Sequence, residues 1–83
     1  MASFEVVVRK SVAKDLRRVP DRAVRRILER IASLAEDPRP LGGERLSAQE
    51  RYRVRQGVYR ILYEIQDEQL IVTVVKIGHR REV

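Results

Sequence analysis

The chain opens on Phe4-Glu5-Val6-Val7-Val8, a β-branched run long enough for a strand and too short for a helix. The spacing of apolar positions then changes period. Val12, Leu16 and Val19 recur at i, i+4 and i+7, which predicts a short helix capped by Ser11 and stopped by Pro20. Asp21 can cap a second helix, in which Val24, Ile27, Leu28, Ile31 and Ala35 form one stripe; Arg22, Arg25, Arg26, Glu29 and Arg30 lie largely off it. Asp37-Pro38-Arg39-Pro40-Leu41-Gly42-Gly43 is a loop, because prolines remove amide donors and paired glycines favour irregular backbone. Beyond it the pattern reads as a meander of three strands, Tyr52 to Arg55, Val58 to Ile65 and Leu70 to Ile77, broken at Gln56-Gly57 and Asp67-Glu68.

Two helices that are apolar on one side only must each bury that side on the sheet. The expected architecture is an α+β two-layer sandwich in the order βααβββ. Both helices lie on one face of a mostly antiparallel four-stranded sheet, and the other face is open. With 83 residues and no linker or repeat, residues 1–83 form a single domain with one modest core.

The stretch Arg53-Val54-Arg55-Gln56-Gly57-Val58-Tyr59-Arg60 sets three arginines around one glycine turn. A two-residue turn at Gln56-Gly57, with Gly57 supplying a positive φ, pairs Arg55 with Val58, Val54 with Tyr59, and Arg53 with Arg60. Partners directly opposite share a face, so Arg53, Arg55 and Arg60 fall together, with Tyr52, Val54, Tyr59, Ile61 and Tyr63 on the core face. A second two-residue turn at Asp67-Glu68 would set Arg60 opposite Val75 and bring Thr73, Val75, Ile77 and His79 onto the arginine face. A bulge at Gly78 would turn His79 away. Charges on an open sheet face keep it soluble and discourage edge pairing. Three guanidiniums facing one another also oppose strand pairing unless an anion visits, and arginine forks match phosphate oxygens. A phosphodiester is the natural guest, and a carboxylate-rich protein segment is the second.

Composition narrows the chemistry. Eighteen lysines and arginines against twelve aspartates and glutamates give a formal net charge of +6, which suits a polyanionic or acidic partner. With no cysteine and a single histidine there is no disulfide framework, thiolate nucleophile or zinc constellation, so neither metal nor cofactor is expected. No apolar run approaches a membrane span, and MASFEVVVRK lacks a signal-peptide core, so the expected location is the cytoplasm, away from membranes.

At YRVRQGVYRILYEI followed by VVKIGHRREV the sequence resembles the RelE/ParE superfamily of bacterial toxin-antitoxin toxins. The resemblance covers nearly the whole chain. It implies a compact α+β toxin held inactive by a cognate, RelB-like antitoxin that wraps around it. RelE-like members are ribosome-dependent endoribonucleases that cut messenger RNA in the A site, whereas ParE-like members poison DNA gyrase. The RelE pattern places catalysis on two basic residues of one strand, the arginine after the turn, and an arginine after the last strand. These match Arg53, Arg55, Arg60 and Arg80. The first two are lysines in the RelE pattern; arginine stabilises charge but is a poor base. Relatives commonly carry a tyrosine just beyond the Arg-Glu-Val stretch, and the sequence here ends at Val83.

RNA cleavage without a metal uses the 2′-hydroxyl as internal nucleophile, leaving the protein to move protons and stabilise charge. On the RelE reading Arg60 and Arg80 hold the scissile phosphate, with Arg53 and Arg55 contacting it and the neighbouring RNA backbone. His79 is either the acid or base of that reaction or a surface histidine at a strand end. Glu64 is either a base or the partner of a nearby arginine. Tyr52, Tyr59 and Tyr63 are packing residues, and Arg25 with Glu29 is an ordinary i, i+4 pair.

Overall fold

The computed structural model describes residues 3–46 and 51–81. Strand β1 (Glu5–Val8) leads into helix α1 (Lys10–Leu16) and helix α2 (Asp21–Ser33), followed by strands β2 (Glu44–Arg45), β3 (Arg51–Gln56), β4 (Tyr59–Gln66) and β5 (Ile71–His79). The strands form one sheet in the order β1-β5-β4-β3-β2. Only β1 runs parallel to its neighbour; β2 through β5 are antiparallel. This is the expected α+β sandwich with one extra strand. The two-residue β2, Glu44 against Arg53 and Arg45 against Tyr52, has no apolar alternation to announce it.

The helices start without the expected side-chain caps. Arg9 stands at the N-cap of α1, since its amide is already bonded to the Val74 carbonyl (3.1 Å) and its own carbonyl accepts from the Val12 amide (3.0 Å). Ser11 is therefore inside the helix. Pro20 takes the corresponding place in α2, where a fixed φ of −58° suits a helix entry, and Asp21 instead lies in the first turn, favourably placed for the helix dipole. The buried line of α2 runs through Ile27, Ile31 and the following Leu34, which leaves Leu28 at the margin, 47 % exposed and not in the core stripe.

Between the layers, Val12, Val19, Ile27, Ile31 and Leu34 meet Tyr52, Val54, Ile61, Tyr63, Ile65, Val72, Val74 and Ile77. The sheet contributes alternate residues, as period two requires. One end of the sheet is closed by polar contacts. The Arg39 fork grips both oxygens of Asp67 (2.9 and 2.7 Å), its Nε donates to the Tyr52 hydroxyl (3.2 Å), and its guanidinium lies over the Tyr52 ring. This grip holds the Asp67 carboxyl below its ordinary pKa. Tyr63, stacked on Tyr52, donates to the Pro38 carbonyl at 2.7 Å. The loop at 37–43 is thereby tied to the β4–β5 turn. That turn is also longer than expected, running over residues 67–70 between β4 and β5, with Leu70 at φ 55° and its carbonyl held by the Glu5 amide.

Burial pushes the Tyr63 hydroxyl from 10.0 up to about 12. A folded pKa above the unfolded one means that this stabilisation is complete below pH 10 and lost as pH rises through 12. Tyr63→Phe, which strips the Pro38 carbonyl of its donor, should lower stability at neutral pH by about 1–2 kcal/mol in urea titrations. It should also remove the wild type's alkaline loss in that window.

Candidate functional site

The β3–β4 register is fixed by a turn at Gly57-Val58, with Gly57 at φ 61°. The turn lies one residue later than the glycine position alone predicts. Arg55 consequently sits directly opposite Arg60, and Arg53 opposite Leu62; the expected Arg53–Arg60 pairing does not occur. Moving the turn by one residue changes each partner by two, so the faces are preserved. Arg51, Arg53, Arg55, Arg60, Leu62 and Glu64 share the face without helices.

The other expected placement changes. Tyr63 pairs with Val74 and Leu62 with Lys76, so Val75 is the extra residue of a bulge. From there every side chain is turned over. Ile77 joins the core opposite Ile61, and His79 pairs with Tyr59 on the helix side, its ring edge-on to the tyrosine with centroids 5.8 Å apart. His79 therefore does not share Arg60's face, and the geometric ground for reading it as that cluster's acid or base is gone. The same bulge brings onto the arginine face Lys76, which the sequence reading missed, and sets Gly78 directly opposite Arg60, where it presents no side chain.

Arg80 follows β5, and its amide donates to the Val58 carbonyl at 2.7 Å. This bond holds the Arg80 backbone, in the turn that follows β5, beside the hairpin tip. Arg55 and Arg60 lie at the end of the sheet opposite the Arg39 clamp, next to the backbone of Arg80. Glu82 and Val83, which complete the quoted motif, lie outside the described residues.

Acidic residues divide this face in two. Glu64 accepts from Arg51 at 2.8 Å and lies 3.6 Å from Arg9, so it is an ion-pair partner. Glu44 on β2 pairs with Arg53 at 2.8 Å. Arg55 and Arg60 have no carboxylate partner among the described residues, and the Nε of Arg60 is buried without a hydrogen bond. Two opposed guanidiniums beside a glycine present donors of the kind that match an anion with several oxygens, such as a phosphodiester.

A sequence model described as the ParE toxin of the type II toxin-antitoxin system, parDE, matches residues 6–83. The chain belongs to that toxin family. Toxin RelG of Mycobacterium tuberculosis is 29% identical over 72 residues, spanning 84% of this chain and 83% of RelG. Among solved structures, the RelBE2 toxin-antitoxin complex of Mycobacterium tuberculosis is similar at TM-score 0.80 and 28% identity, covering 94% of this chain and 99% of that one. The archaeal RelE–RelB complex from Pyrococcus horikoshii gives TM-score 0.82 and 25% identity, covering 98% and 99%. The isolated Escherichia coli RelE toxin, at 18% identity and TM-score 0.78, covering 93% of this chain and 84% of that one, shares the fold. The chain is thus a type II toxin of the RelE/ParE superfamily with the RelE fold.

Glu44 occupies the Arg53 fork that a phosphate would use. Glu44→Gln should make the toxin elute from a heparin column at higher salt and steepen the salt dependence of polyanion binding by about one charge. Arg53→Ala added to Glu44→Gln should cancel the gain.

Proposed function

We propose that this toxin is an endoribonuclease, an mRNA interferase that cuts messenger RNA in the ribosomal A site, stops translation and arrests growth. The observation that carries the reading is the opposition of Arg55 and Arg60, without a carboxylate partner among the described residues, on a face where Arg51 and Arg53 are each paired with a glutamate. The likeness to RelG and to the RelE-type toxins of Mycobacterium tuberculosis and Pyrococcus horikoshii supports it.

In this mechanism the 2′-hydroxyl attacks the adjacent phosphorus, a 2′,3′-cyclic phosphate forms, and the 5′-oxygen leaves with a proton. Arg60 and Arg80 hold the non-bridging oxygens and the charge that grows on them, with Arg55 completing the cradle and Arg53 on the neighbouring backbone once Glu44 yields. A site built of arginines has little capacity to take a proton, so the rate comes from electrostatic stabilisation and from positioning of the strand by the ribosome. The partner that restrains the toxin is an antitoxin of the RelB type. The two relatives at 25–28% identity are solved as complexes with such partners. An acidic segment laid across the open face would neutralise the same arginines.

A second reading rests on the family match itself, which is to a ParE toxin. On it the toxin poisons DNA gyrase, and the arginine face contacts protein or DNA.

Purified toxin should cut messenger RNA on programmed ribosomes and leave free RNA nearly intact. Arg60→Gln should slow cutting by about 100- to 1,000-fold while shifting stability by less than about 1 kcal/mol. Intact messenger RNA together with blocked gyrase supercoiling would establish the second reading instead.

A further inference from the structure

Strand β1 accompanies β5 only as far as Val74, so the outer edge of β5 is unpaired from Val75 onward. Helix α1 crosses this edge, and the Asp15 carboxylate accepts the Ile77 amide through Oδ2 at 3.0 Å, satisfying a donor that would otherwise be bare. Beside that contact lies a cavity of about 220 Å³, lined by Asp15 and Arg18 of the helical layer, by Tyr59, and by Lys76, Gly78 and His79 of the strand. Most of the lining, Val19, Ile77, Tyr59 and His79 included, belongs to the helix side, and the cavity sits at the outer edge of β5, level with the position where Arg60 faces Gly78.

We infer that this cavity binds an unpaired nucleobase of the RNA strand whose phosphate rests on Arg60, an assignment that depends on the nuclease reading above. The chemistry of the lining selects such a ligand. A base has a flat apolar face and a polar edge, and single-stranded bases are held by aromatic rings and guanidinium planes together with hydrogen bonds to that edge. Tyr59 and His79 supply two rings at right angles. Asp15, with Oδ2 on the Ile77 amide, has its other oxygen to accept a base N–H, and Arg18 and Lys76 offer donors to a base carbonyl. A simple anion would meet the Asp15 carboxylate at close range and gain nothing from the rings. An aliphatic ligand would leave the charged groups without partners. His79, absent from the arginine face, thereby gains a role as part of the base-holding wall.

The test has two arms. In the first, the ring signals of His79 and Tyr59 are followed by NMR as the toxin is titrated with the four ribonucleoside 5′-monophosphates and, separately, with ribose 5-phosphate. The nucleotides should move both rings and ribose 5-phosphate should not. Arg18→Ala and Asp15→Asn, the latter keeping an oxygen for the Ile77 amide, should each weaken one nucleotide by about fivefold relative to the others. Equal shifts from ribose 5-phosphate, or no ring shifts at all, overturn the inference. In the second arm, cutting on ribosomes is compared over messages that differ by one base near the cut. Arg18→Ala should change the relative rates by about fivefold. Cutting with unaltered base preference overturns the pocket and leaves the nuclease reading standing. Base-dependent ring shifts in a protein that cuts nothing keep the pocket and overturn the nuclease reading.

Discussion

Arg55 faces Arg60 across two paired strands, and most of what surrounds them holds that unfavourable opposition in register. Like charges directly opposite on a sheet cost roughly 0.2–1 kcal/mol. On the reverse of the same strands Val54 pairs with Ile61 and Tyr52 with Tyr63, all buried, and each such side chain contributes roughly 1.5–3 kcal/mol on burial. The core side therefore dictates the register, and the arginines are carried with it. A slip by one residue would expose the tyrosines and isoleucine and bury the arginines.

The two ends of the sheet are built for different purposes. At one end, Arg39, Asp67, Tyr52, Tyr63 and Pro38 are fully committed to one another, and the arginine-rich face is neutralised by Glu64 and Glu44. At the other, the glycine turn, Gly78 and the Arg80 amide bring cations together beside a strand edge that β1 does not cover. The proposed polyanion contact thus falls at the end of the sheet where, among the described residues, Arg55 and Arg60 have no carboxylate partner.

The sharing of one face by Arg53, Arg55 and Arg60 was legible in the sequence because side-chain parity survives a turn placed one residue too early. The same tolerance did not extend to β5. Its helical-side residues after the bulge depend on one extra residue, Val75, which closes the β-branched run from Ile71 with no glycine or proline beside it to mark an irregularity. His79 and Lys76 exchanged faces as a result. The strand β2 was invisible because two exposed charged residues carry no periodicity, and Leu28 was misplaced because a wide apolar stripe does not say which of its lines meets the sheet. Helix starts were set by tertiary hydrogen bonds to Arg9 and by the geometry of Pro20, which side-chain capping preferences do not describe. The resemblance to RelE/ParE toxins was readable from the strands that build the site, and the family match extends over residues 6–83.

On the proposed mechanism the arginine end of the sheet stabilises attack by an RNA 2′-hydroxyl on its neighbouring phosphate, which ribosomes programmed with a message carrying a single 2′-deoxynucleotide at the cut position, set beside the all-ribose message, would test. The all-ribose message should be cut to a 2′,3′-cyclic phosphate end, and the single deoxy substitution should abolish cutting there. Equal cutting of both messages, or cutting of neither, would contradict it.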